Sequence, residues 1–276
     1  LDALTPAQVE AIAAFVQMEM LEAGFGASVE FHYLHHQAGG APYDNLAELS
    51  ARIAAAAEQS GIGLTLAPVL YTQAGCDGAA LSGGQRRFGN DIDRFARLRD
   101  GAAEGVRALP ADARLGAAAH SLRAVASGDL TRLSGLCPAA PLHMHLAEQK
   151  AEVDEVIAAY GARPVEWVLE NLPLGPYWCL IHLTQMGDAE TKALAKTGVV
   201  AGLCPLTEAN LGDGIFNGTL WEAHGGALSI GSDSNIRVSL AEELRQLDTS
   251  QRLRDHSRAV IATQAHSRRM GGCAEP

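Results

Sequence analysis

Short apolar segments alternate with helix-forming segments along almost all of the 276 residues, and this alternation constrains the fold more than any other feature. Strands are expected at 28–34, 63–70, 114–119, 141–146, 177–183, 198–203 and 227–231. Helices are expected between them at 44–59, 91–109, 147–160 and 188–196, with weaker helical stretches elsewhere. A first helix runs from Pro6 to about Gly24, and segments 240–247 and 251–266 follow the last strand. Sustained alternation of this kind buries parallel strands under covering helices. A (β/α) barrel and a doubly wound sheet both satisfy it. Three observations favour the barrel: seven strands, one short of eight; no GxGxxG turn after any strand; and polar side chains at the C-terminal end of strand after strand, where a barrel gathers its active site. The expectation is an α/β chain forming one (β/α)8 TIM-type barrel domain over residues 1–276, lacking the first strand.

Thr5-Pro6 is a helix start, a capping hydroxyl followed by proline at the first helical position. Ile12, Phe15, Val16 and Met20 then lie on one stripe, the expected buried face. Hydrophobic residues make up 47% of the chain and charged residues 19%, a globular composition. With Lys plus Arg 21 against Asp plus Glu 32, the net charge is −11, which argues against nucleic-acid or anionic-membrane partners. No apolar run reaches the length of a membrane span. The five cysteines are scattered and form no CxxC pair, which speaks against a disulfide framework or thiolate zinc site and for a reducing cytoplasm. The chain begins at Leu1 and opens in a helix, so an internal piece of a longer protein is expected.

Chemistry-bearing residues gather at the strand ends. His143-Met144-His145 closes one expected strand, and alternation puts both imidazoles on one face. Glu148 follows where the chain leaves the strand. An imidazole with a carboxylate just beyond suits a metal-bound water and its proton transfers; Glu148 equally suits the first turn of the following helix, where acids are favoured. His182 ends the next strand beside Thr184 and Gln185, as a catalyst or as a hydrogen-bonded core residue. Asp233, in Gly231-Ser232-Asp233-Ser234-Asn235, suits a ligand or base and also an Asx turn or helix cap. Arg123, after His120, suits a bidentate carboxylate clamp or a surface ion pair. His35 and His36 are adjacent and point apart, so a metal site from them is not expected. The Gly-rich stretch 71–90 reads as a lid or binding loop, or as a disordered insertion. The polar segment from Cys204 to Gly214 again falls at a strand end.

Five segments in order resemble the amidohydrolase superfamily of metal-dependent hydrolases: Glu30–His36, His120–Val125, His143–Gln149, Cys204–Phe216 and Gly231–Asn235. The HSLRAV and CPLTEANLGDGIF stretches resemble the branch that deiminates N-formimino-L-glutamate to N-formyl-L-glutamate and ammonia in histidine degradation. The resemblance implies that His145 and Asp233 are metal ligands, zinc being the suited ion, and that Asp233 also takes part in catalysis. It implies Glu148 as proton carrier, His182 as hydrogen bonder of the reacting group, and Arg123, His120 and Tyr33 as contacts to a small carboxylate substrate. A homodimer is expected on the same ground. The superfamily's first strand carries an HxH pair supplying two further ligands, and a small β-sandwich flanks the barrel; neither has a counterpart in this sequence. Other readings are a guanine-deaminase-like enzyme acting on another small amidine or heterocycle, and a non-catalytic degenerate barrel. An acidic substrate needs a fixed cation such as Arg123, and a neutral purine does not.

Overall fold

The structure, a computed structural model, describes residues 3–258. The end of the expected 251–266 helix and Cys273 lie outside them. The chain divides into two compact units, Leu1–His143 and Met144–Pro276.

Unit 1 opens with α1 (Pro6–Glu22), where the capping hydroxyl expected at Thr5 is half of a capping box: the Gln8 amide donates to Thr5 Oγ1 and the Thr5 amide to Gln8 Oε1. β1 (Ala27–His32), α2 (Glu48–Ser60), β2 (Gly63–Leu70) and α3 (Ile92–Arg107) follow. The α2 helix stops at Gly61, whose φ of 78° is the left-handed conformation that a C-cap glycine takes at least cost. The strand expected at 114–119 is two short pieces, β3 (Arg114–Leu115) and β4 (Ala117–Ala119). Between them Gly116 donates to Leu66 O at 2.8 Å, and a Cβ there would come within 2.7 Å of Pro141 O. β1 runs parallel to β2 from Ala27 opposite Gly63 to His32 opposite Pro68, and β4 continues the sheet on the other side of β2. Ala67, Val69 and Ala118 are fully buried, with Val29 and Phe31 packed on them. The last helix of the unit is α4 (Ser127–Leu136).

The stripe expected to bury α1 is corrected. Ile12 and Phe15 are more than half exposed, whereas Val9, Gln17 and Met20 are buried. Apolar residues and the polar Gln8, Glu10, Gln17, Glu19 and Glu22 are spread around the helix, so its sequence does not select a face; packing against α2 does.

β5 (Leu142–Leu146) crosses the boundary between the units. Unit 2 continues with α5 (Lys150–Tyr160), α6 (Pro164–Asn171), β6 (Trp178–His182), α7 (Asp188–Ala195), β7 (Val200–Leu203), α8 (Pro205–Leu211), α9 (Gly218–Ala223), β8 (Ala227–Ile230) and α10 (Leu240–Asp255). β6 pairs parallel with β7, and β7 with β8. Within each unit sequential strands are neighbours and every pair is parallel, without the order reversal that a doubly wound sheet requires. The two segments expected after the last strand are one helix, α10. Asp248 does not break it but pairs with Arg252 one turn on, at 2.6 Å. No described helix is long and apolar enough to cross a membrane.

Candidate active site

In unit 2 the strand tips carry the chemistry. His145 and His182 end neighbouring stretches of β5 and β6, and their rings stack nearly parallel, 9° apart with centroids at 5.4 Å. Glu148 Oε1 lies 3.7 Å from His182 Nε2. On the other side of the ring Glu208 Oε1 lies 3.3 Å from Nδ1. His182 is 1% exposed and Glu208 5%, so this imidazole sits between two carboxylates away from bulk water. Asp233, exposed at the turn after β8, adds a further negative charge that acts on His182.

These neighbours set the protonation states. Burial pulls the His182 pKa down, but the hydrogen bond it donates to Glu208 and the charges of Glu148, Glu208 and Asp233 outweigh it, and the net shift is upward. Burial raises the Glu148 carboxyl, opposed by His182 and reinforced by Asp213, Glu152 and Asp233. A glutamate lifted in this way holds and releases a proton nearer neutral pH than a solvated one. Glu243, fully buried behind α8, is pushed up to about 7 by burial, although it accepts from the Leu206 amide at 2.9 Å.

The loops that present these groups are held from behind. Glu152 accepts from the amides of Ala147 and Glu148 at 3.0 and 2.9 Å. Thr184 Oγ1 donates to Glu148 O at 2.5 Å. Ala147, His182, Leu183, Asp233 and Asn235 all have positive φ, between 49° and 73°. Non-glycine residues enter that region at a cost of roughly 1–3 kcal/mol each, and here they do so at the tips of β5, β6 and β8. Glu208 and Asp213 were within reach of sequence reading only as members of the Cys204–Gly214 segment; Glu152 carried no signal beyond lying four residues after Glu148.

Unit 1 holds a different cluster. Tyr33, Phe88, Tyr71 and His120 meet edge to face, with Tyr33–Phe88 at 4.9 Å, Tyr71–His120 at 4.7 Å and Tyr33–His120 at 5.8 Å. Phe88 comes from the 71–90 stretch, which is tied back on itself by the Asn90 amide donating to Tyr71 O at 3.1 Å. Arg87 of that stretch is fully buried and donates to His36 O and Leu4 O. Burial first, and then the charge of Arg123, push His120 down to about 4, so at neutral pH it offers a hydrogen bond and not a charge. Arg123 supplies the charge; its Nε is buried without a hydrogen-bond partner among the described residues. His35 and His36 bind different groups, Val69 O in one case and Gly89 O with Asn90 in the other. A cavity of about 470 Å³ beside Arg86, Asn90 and Arg94 is lined by none of the sequence-predicted site residues.

Among the described residues no three His, Cys, Asp or Glu side chains are grouped to hold a metal ion. His145 and Asp233 are two donors, one fewer than a catalytic zinc ordinarily takes from protein, so the residues present do not make a complete metal site.

A class of protein is defined by parallel strands with imidazole and carboxylate at their C-terminal tips, and comparison supplies the class. The sequence matches the amidohydrolase family over residues 1–264. A crystal structure of an amidohydrolase from Brucella melitensis is 53% identical with a TM-score of 0.90, over 92% of this chain and 57% of that one. The chain belongs to the amidohydrolase family, and its fold is of the TIM-type (β/α) barrel class. Formimidoylglutamate deiminase of Pseudomonas aeruginosa is 48% identical over 256 residues, 92% of this chain and 56% of the relative. An adenosine deaminase from Xanthomonas campestris with bound zinc shares the fold at 20% identity and a TM-score of 0.75, over 92% of this chain and 53% of that one. The chain thus spans little more than half the length of the relatives it matches.

Proposed function

We propose that this chain belongs to a hydrolase that deiminates N-formimino-L-glutamate, releasing ammonia and leaving N-formyl-L-glutamate, as a cytoplasmic step of histidine degradation. The observation that carries the substrate class is Arg123, a guanidinium whose Nε is buried with no hydrogen-bond partner among the described residues. A buried donor left without an acceptor is costly, and a substrate carboxylate supplies one. His120 adds a neutral hydrogen bond and Tyr33 a further contact. The 48% identity to a formimidoylglutamate deiminase supports the same substrate.

In the reaction, water adds its oxygen to the formimino carbon. Glu148 takes a proton from that water and passes it to the terminal nitrogen. Glu148 then takes the remaining hydroxyl proton of the tetrahedral intermediate and passes it to the same nitrogen; the carbon–nitrogen bond breaks, ammonia leaves, and the carbon keeps the oxygen as a formyl group. His182 Nε2, beside Glu148, hydrogen-bonds the reacting group in the tetrahedral intermediate. A divalent metal, zinc being the suited ion, would be held by His145 and Asp233 and would need at least one further donor.

The test is ammonia release from N-formimino-L-glutamate set beside guanine. Turnover of the acidic amidine and none of the purine supports the reading. Turnover of guanine alone favours the heterocycle deaminase, and the absence of both favours a non-catalytic barrel.

A further inference from the structure

His182 has a carboxylate on each ring nitrogen, and the one on Nδ1 has no assigned role. Glu208 stands in the first turns of α8, which leaves β7 through Cys204 and Pro205. Its carboxylate is not free to swing. The Cys204 amide donates to Oε1 at 2.8 Å, and the same oxygen lies 3.3 Å from His182 Nδ1. An ionised carboxylate accepts and cannot donate. The proton of that contact therefore sits on Nδ1, and the hydrogen bond at one ring nitrogen decides what the other presents. Nε2 is 3.7 Å from Glu148, beyond hydrogen-bond length, so it retains capacity for a reacting group. The backbone does not supply this orientation through regular strand geometry, because His182 and Leu183 have φ of 73° and 56°.

We propose that Glu208 is a positioning residue: by accepting the Nδ1–H of His182 it fixes the ring and its tautomer so that Nε2 faces the reacting group beside Glu148. The role in turnover rests on the deiminase reading; the geometry does not. Partners of this kind, one bond removed from the reacting groups, typically change activity 10–100-fold when lost, as measured around metal sites.

The experiment is long-range proton–nitrogen NMR of histidine-labelled 276-residue chain, with the His182 signals assigned by their loss in His182→Asn. The wild-type ring is expected to carry a proton on Nδ1. Glu208→Gln keeps an oxygen that can accept from both Cys204 and His182, and it should keep that proton in place. Glu208→Ala should populate the Nε2–H tautomer. A wild-type ring protonated on Nε2 alone overturns the proposal whatever the variants do, and covers the case in which the alanine variant does not fold. So do His182 signals that are the same in Glu208→Ala as in the wild type. In ammonia release from N-formimino-L-glutamate, Glu208→Ala should lower kcat about 10–100-fold with KM within about twofold, and Glu208→Gln should recover most of it; an unchanged kcat in the alanine variant also overturns the role. If the wild type releases no ammonia, the deiminase reading fails, and the ring spectra still decide Glu208.

Discussion

His120 in unit 1 and His182 in unit 2 both stand at the C-terminal end of a strand, the first half-buried and the second buried. Burial and the neighbouring Arg123 push His120 down to about 4, whereas Glu208 and Glu148 hold His182 above its ordinary value against burial. The surroundings differ in kind. His120 is packed among the rings of Phe31, Tyr33 and Tyr71, and no non-glycine residue described in unit 1 has a positive φ. His182 is packed among carboxylates, on a tip where backbone strain is concentrated. One residue type is thus shifted towards its neutral form in one unit and towards its protonated form in the other, because burial alone disfavours the cation and an adjacent carboxylate favours it. Unit 1 is equipped to bind and unit 2 to move protons.

That division makes the largest predicted effect a loss of rate. Glu148→Gln keeps the shape and removes the proton carrier, so kcat should fall about 10²–10⁴-fold while KM moves little. Tryptophan fluorescence should be unchanged, since Trp167, Trp178 and Trp221 all lie in unit 2 and report its packing. A fall in KM-limited binding instead would put Glu148 on the binding side and break the contrast.

Arg123→Ala should do the opposite. Losing a charge-assisted bond worth about 1.5–3 kcal/mol should raise KM for N-formimino-L-glutamate about 10–100-fold, with a smaller change in kcat. Steady-state kinetics at saturating substrate distinguish the two, and a variant with unchanged kcat/KM removes the carboxylate clamp from the argument.

The units should also answer pH with opposite sign. His32 and His120, lowered to about 4, and His35, lowered by burial, bind protons more readily unfolded than folded. Their contribution is present above about pH 6.5 and is lost as pH falls towards 4, by about 2 kcal/mol between pH 7 and 5. Glu30, pushed up to about 7 by burial, opposes them in part. In unit 2, Glu243 at about 7, Glu148 and His182 are all raised. Folded unit 2 binds the extra protons, so its stability should fall as pH rises from 5 to 7, by about 2 kcal/mol from Glu243 alone. Urea denaturation read by tryptophan fluorescence for unit 2 and by the His32 and His35 ring signals for unit 1 tests this. One coincident transition moving in one direction would erase the difference between the units.

The smallest effect concerns metal. With His145 and Asp233 as donors, dialysis of the 276-residue chain against a mild chelator should leave well under one equivalent of zinc. Tightly held stoichiometric zinc would mean that other side chains of this chain complete the site.

Much of this was legible in the sequence because it depends on neighbours in the chain. The period of apolar residues placed β2 at its two ends, and Thr5 and Pro6 marked the start of α1, since a cap is made within one turn. The strand-end positions of His145, Glu148, His182 and Asp233 followed from the same periodicity. Tertiary structure decided what depends on distant partners. Which face of α1 is buried was settled by α2, because a helix whose apolar residues are spread around it has no preferred side. The break between β3 and β4 was settled by Pro141 lying close to Gly116. The pairing of His182 with Glu208, 26 residues apart, was settled by the parallel alignment of β6 and β7, which brings the tip of one strand beside the helix that follows the other. Whether a histidine is neutral or charged belongs to this second class, because desolvation and nearby charge are properties of the folded surroundings.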